Sequence, residues 1–244
     1  MFKPNNKLDG KVHLKHTDGY GSMVDAITLS KDQGEMEKLK IWTETALDNA
    51  DYIIHQLDQQ DISQYEKNVN IARFYNKQIN DNLKEHKKFN KKLAKKITCK
   101  VGCSACCYQH VYIADFEASN IVYEIKERGI EIDLELLDLQ SKNEDHKEHE
   151  KLPHEKRKCV FLGTDNKCSI YNFRPLSCRK YFSLDDPIKC NTDTVQKIKR
   201  FQSPLAEIIQ TGIMNKFEGG TLATQIKNQL IQYEIFEASQ GEVD

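Results

Sequence analysis

All eight cysteines of this chain lie between positions 99 and 190, in two clusters. The first reads Cys99-x3-Cys103-x2-Cys106-Cys107; the second is Cys159, Cys168, Cys178 and Cys190, spread through a turn-rich stretch. The first 98 residues and the last 54 contain none. Cysteines used only for packing would not segregate in this way, so the fold must bring two separate loops to shared chemistry. Closely spaced cysteines let one loop present several sulfurs to one centre, and thiolates favour zinc or iron–sulfur clusters among the common biological metals. The sequence therefore predicts a metal site with Cys99, Cys103, Cys106, Cys107, Cys159, Cys168, Cys178 and Cys190 as candidate ligands. Cys103, Cys106, Cys159 and Cys178 stand in motif cores and are the first choice. Neighbouring side chains diverge, so Cys106 and Cys107 either serve two centres or include one reactive or structural thiol. Eight cysteines can fill two four-coordinate sites or make one site with spares.

The residues between the cysteines are consistent with metal-binding loops. Gly102 and Ala105 keep the first turn free of bulk, and Ser104 can donate to sulfur. Residues 158–171 read as a tight hairpin with a cysteine near each end, turned by Gly163 and Asp165-Asn166. Pro175 can open a short helix before Cys178. Arg174 and Arg179 can neutralise thiolates, grip an anion, or pair with surface carboxylates. His110 is a further candidate ligand or hydrogen-bond donor to the site, while Tyr171 and Tyr181 are placed to shield it or to sit in the core. His146, His149 and His154 fall in a stretch rich in Glu and Lys, 143–158, which reads as a solvated connector rather than a ligand set.

A 244-residue chain can bury a proper core and does not need cross-links to hold a minimal fold. The N-terminus lacks the apolar run of a secretory signal. The expected compartment is therefore the reducing cytoplasm, where structural disulfides are rare. No run of about 18 apolar residues is present, so no membrane-spanning helix is expected. The net charge of −1 gives no sign of nucleic-acid or membrane partners.

Hydrophobic periodicity predicts a mainly α-helical domain with irregular cysteine-rich loops and little β-structure. Residues 1–33 read as a loosely docked arm and 34–96 as a helical hairpin broken at Asp61-Ile62-Ser63. Its second helix spans about 63–96. Lysines 87, 88, 91, 92, 95 and 96 crowd its end, where they suit the helix dipole and solvation better than a phosphate site. Residues 97–190 form the cysteine region, with a β-like stretch at 108–113 and helices at 115–128, stopped by Gly129, and at 133–142. The segment 191–244 carries two helices, about 192–210 and 222–238, separated by Gly219-Gly220.

The strings Cys99-Lys-Val-Gly-Cys103-Ser-Ala-Cys106-Cys107, Cys159-Val-Phe-Leu, Cys168-Ser-Ile-Tyr171 and Arg174-Pro-Leu-Ser-Cys178-Arg179 resemble the CxxCxxCC (YkgJ-like) family of zinc- or iron-chelating proteins. Glu117-Ala118 fits the family's helix opening. The x3 spacing after Cys99 departs from the family name's pattern. The resemblance covers about residues 97–190 and leaves the flanking helices outside it. It implies a bound zinc ion or iron–sulfur cluster. Flagellin lysine N-methylases carry a similar cysteine signature, which implies an alternative: an iron–sulfur-dependent group-transfer enzyme with a protein substrate and S-adenosylmethionine. The Cys99-x3-Cys103-x2-Cys106 spacing is also similar to the cluster loop of radical S-adenosylmethionine enzymes. Those are built on repeated βα units, which this helical chain lacks, and no glycine-rich methyltransferase fingerprint is present.

Overall fold

A computed structural model describes residues 44, 47, 48, 50–89, 91–190, 198–202, 210 and 216–240. The predicted arm at 1–33 lies outside them. Helix α1 covers residues 50–58 and α2 runs Gln64–Phe89. The predicted break between them is present, and its cause is a reciprocal capping box. Ser63 N and Oγ both donate to Glu66 Oε2 at 2.8 Å, and Glu66 N donates back to Ser63 Oγ at 3.2 Å. A short helix α3, Lys91–Ala94, follows α2.

The chain then passes through a 3-10 turn, Ala105–Tyr108, into strand β1, Tyr112–Ala114. Helix α4 is Asp115–Glu127, α5 is Leu134–Ser141 and α6 is His146–Lys151. Strand β2, Tyr181–Ser183, pairs antiparallel with β3, Arg200–Gln202; β4, Gly219–Thr221, pairs antiparallel with β1. Helix α7, Leu222–Gln240, ends the described chain. The architecture is mainly helical with little strand, as the periodicity predicts. Among the described residues, no helix is long and apolar enough to cross a membrane.

Two apolar clusters make the core. Tyr65 and Val69 of α2 join Ala118, Ile121, Val122 and Ile125 of α4, Leu136 and Leu137 of α5, and Leu222, Ala223 and Ile226 of α7. The later turns of α2 (Ile71, Ala72, Tyr75, Ile79, Leu83) form the second cluster with Ala50, Ile53, Ile54 and Leu57 of the first helix and with Phe116. These positions recur at three- and four-residue steps, so one helix face is buried while the lysines face water.

Three expectations are corrected. The helix expected over 192–210 is interrupted: residues 200–202 are strand, with Phe201 stacked on Phe182 at 6.3 Å, while 191–197 and 203–209 lie outside the described residues. Gly219-Gly220 does lie between helical Gln210 and α7, but as part of strand β4 rather than as a simple break. A Cβ on Gly219 would stand 3.1 Å from the Ile113 carbonyl oxygen, so a larger residue would crowd the paired strand. The stretch 143–158 contains a helix, because Asp145 caps it by accepting from Lys147 N and Glu148 N, and it buries His149.

Candidate metal centre

The two cysteine segments are positioned by different means. In the second, the residues flanking the cysteines enter the core: Val160, Phe161, Ile170 and Phe173 in one cluster, Leu176 in the other. The predicted hairpin is tight. Gly163 N donates to Lys167 O at 2.9 Å, Leu162 bridges Cys168, and Asn166 takes the left-handed conformation (φ 59°). Pro175 precedes the short 3-10 turn Leu176–Cys178, as expected. Buried Glu117 locks that turn to the start of α4, accepting from Leu176 N at 2.7 Å and Ala114 N at 3.0 Å. Burial raises its carboxyl to about 7 despite both hydrogen bonds.

The first segment has little core of its own. No residue from 91 to 112, all of them described, is buried. Gly102 makes the turn at φ +88°, where other residues are strained. The loop is tied down mainly by hydrogen bonds. Thr98 N and Oγ1 reach Ser183 O, Thr98 Oγ1 also reaches Asp185 O at 2.6 Å, and Ser183 N donates to Cys99 Sγ at 3.0 Å. Cys159 N donates to Cys107 O at 2.7 Å, which joins the two segments directly.

The segments enclose a cavity of about 380 Å³ lined by Cys99, Cys103, Cys106, Cys107, Cys159, Cys168 and Cys178. Cys190, in the 3-10 turn Pro187–Cys190, packs beside the Ala105–Tyr108 turn, close enough for repulsion with Cys99 and Cys106. Cys106 and Cys178 are open to solvent yet hemmed in by protein, as side chains on a cavity floor are. All eight predicted cysteines thus converge on one region. Among the described residues, however, no group of three or more His, Cys, Asp or Glu side chains is drawn into an arrangement ready to hold a metal ion.

Electrostatics divides the thiols into two sets that meet at Cys106. Cys103 is repelled by Cys106, Cys99 and Cys190; Cys107 by Cys106, Cys159 and Cys168; and Cys178 by Cys159, Cys106 and Cys168. Burial, reinforced by this repulsion, pushes up Cys103, Cys168, Cys178 and Cys190, and Cys159 to about 12. Cys106 moves the other way, to about 6, because the Cys107 thiol donates to it and Arg174 lies close; the same hydrogen bond holds Cys107 protonated. A cation among these sulfurs would remove the repulsion and draw off the protons, so the donor set suits a thiophilic metal.

Both arginines line the cavity and lend positive charge to its thiols, Arg174 to Cys106 and Arg179 to Cys168. Arg179 is buried and structural, donating to Arg174 O, Asn172 O and Asn80 Oδ1. Arg174 lines the cavity, stacks on Tyr171 at 4.0 Å, and supplies positive charge to Cys106. Tyr171 and Tyr181 both line the cavity, as does His110. Lys84, Lys87 and Lys100 add positive charge to its wall. His149, which the sequence places in a solvated connector, also lines the cavity. The usable signal was Asp145 as a helix cap, which sets His146 and His149 three residues apart on one helix.

No curated protein and no solved structure matches this chain. Residues 98–202, the stretch that holds all eight cysteines, match the family model CxxCxxCC, described as "Putative zinc- or iron-chelating domain". That match falls on the segments that line the thiol cavity, so this stretch is similar to a family whose description points to zinc or iron.

Proposed function

We propose that the thiol cavity holds two adjacent metal centres, as paired zinc ions or as iron–sulfur clusters, and that chelation organises the first cysteine loop. The observation that carries this is the single cavity of about 380 Å³ with seven thiols on its walls. One four-coordinate ion would use only half of the cysteines. The electrostatic grouping supports Cys99, Cys103, Cys106 and Cys190 as one ligand set, and Cys107, Cys159, Cys168 and Cys178 as the other. Adjacent Cys106 and Cys107 then diverge to serve different centres, with Arg174 offsetting thiolate charge. Such a centre supplies folding energy if closed, and Lewis-acid or redox chemistry if a coordination position stays open.

The alternative is an iron–sulfur-dependent group-transfer enzyme such as a protein lysine N-methylase using S-adenosylmethionine. Lys84, Lys87 and Lys100 on the cavity wall would repel a lysine-bearing substrate, which weighs against it.

Metal and acid-labile sulfide content, measured with a visible spectrum on protein purified without oxygen, tests the proposal. Two zinc ions per chain, or iron and matching sulfide in the amount of two clusters per chain with visible absorbance, is the expected result; the content of a single cluster overturns it. One mononuclear ion per chain, or a folded chain that takes up no metal, overturns it. Methyl transfer from S-adenosylmethionine to a protein lysine would establish the alternative.

A further inference from the structure

We propose a second, imidazole-based site on this domain: His110, His146 and His149 bind a divalent transition-metal ion such as zinc, separately from the thiols. His149 is 5% exposed, and neither of its ring nitrogens has a hydrogen-bond partner; both ring nitrogens of His110 are likewise buried and unpartnered. Buried polar atoms are nearly always satisfied, so four such nitrogens in one place point to a missing ligand.

The rings lie close together. The His110 centroid is 4.7 Å from that of His149 and 5.9 Å from that of His146. They border a pocket of about 270 Å³, which Glu150 also lines. His146 and Glu150 are one helical turn apart, with Nε2 3.3 Å from Oε1, so a carboxylate is at hand as a further ligand or to orient the imidazole. The Tyr108 backbone carbonyl faces His149. An imidazole N–H held on that carbonyl leaves the other ring nitrogen's lone pair for a metal.

The charges nearby are mixed: Asp145 and Glu150 favour a cation, whereas Arg157, which also lines the pocket, opposes one. Burial holds His110 and His149 below the ordinary imidazole range, so both are neutral near pH 7, the form that coordinates metal. Among the described residues no metal-ready group is formed, so the site requires His146, whose side chain is 64% exposed and beside Glu150, to turn inward on binding. Imidazole nitrogens with a carboxylate suit zinc, nickel, copper or iron(II).

His110 and His149 also line the thiol cavity, so they form the wall between the two sites. The test must therefore read each site separately. Zinc is titrated into the full chain labelled with 15N-histidine, and ring nitrogens are followed by long-range 1H–15N correlation. Cobalt, in a parallel titration, reports the thiols through its thiolate charge-transfer band. The expected result is a zinc-dependent shift of the His110, His146 and His149 ring signals. His146→Gln and His149→Gln should weaken that binding at least tenfold, and His146→Gln, whose residue does not line the thiol cavity, should leave the cobalt–thiolate band unchanged. His146 is exposed, so His146→Gln keeps the test valid even if His149→Gln fails to fold. Ring signals that stay put, or unchanged zinc affinity in His146→Gln, would overturn the histidine site whatever the thiols do. Shifted rings without a thiolate band would sustain it and count instead against the thiol centre.

Discussion

The two cysteine segments serve one cavity but are built differently. Segment 159–178 places Phe161, Ile170 and Leu176 at 1% exposure, so the apolar core fixes where its cysteines stand. Segment 99–107 buries none of its residues and depends on a few hydrogen bonds to Ser183, Asp185 and Cys159. Hydrophobic burial is paid for by the fold as a whole, whereas the first loop has to be ordered by what its own groups bind. The difference teaches that a metal here would act as the missing core of one segment and as an addition to the other.

Removing metal should bring the largest change. Structural zinc contributes on the order of 10 kcal/mol to folding in small domains. The expected outcome is a large rise in hydrogen exchange over 98–108 after chelation, with residues 160–176 and α4 still protected. Equal loss in both segments would break the comparison.

Phe161→Ala should come next, at about 3–5 kcal/mol, because it opens a cavity in the core beneath the second segment. Denaturant unfolding measures it, and a cost below about 1 kcal/mol would mean that the second segment is not anchored by its apolar residues.

The pH dependence sharpens the comparison at Glu117, which joins the second segment to α4. Its folded pKa, about 7, lies above the unfolded value of 4.5, so the native state holds the proton more tightly. Its contribution is fully present below about pH 4.5, falls as pH rises toward 7, and is gone above that, a loss on the order of 3 kcal/mol. Glu117→Gln should remove that slope, read as the difference between wild-type and variant stability curves from pH 4.5 to 8. Parallel curves would contradict a proton-sensitive tie.

Thr98→Val should have the smallest effect, about 1 kcal/mol, since it deletes the hydroxyl that holds the first loop to Ser183 and Asp185. Its signature is faster hydrogen exchange confined to the first segment.

Much of this was legible in the sequence because it rests on local rules. Ser63 and Glu66 mark the start of α2, Gly129 the end of α4, and the spacing of Val69, Ala72 and Ile79 the buried face. The convergence of the cysteines was legible from their clustering. What could not be read depends on pairing between distant segments. Gly219-Gly220 looks like a breaker until β1 lies beside it, and Phe201 looks helical until it pairs with Phe182. His149 sits among charged neighbours and becomes buried only because α6 is packed next to His110. The division of the thiols into two sets is likewise a property of three-dimensional proximity.

The account stands on the thiols being metal ligands rather than a lining of free sulfhydryls. The most direct measurement is alkylation of each cysteine, mapped by mass spectrometry, in the folded protein before and after chelation. Cys106 is the decisive position, because it is open to solvent and its thiol is held down at about 6, the reactive thiolate form. It should resist alkylation in protein isolated without oxygen and react rapidly once metal is withdrawn. Equally rapid labelling before and after chelation would contradict the account.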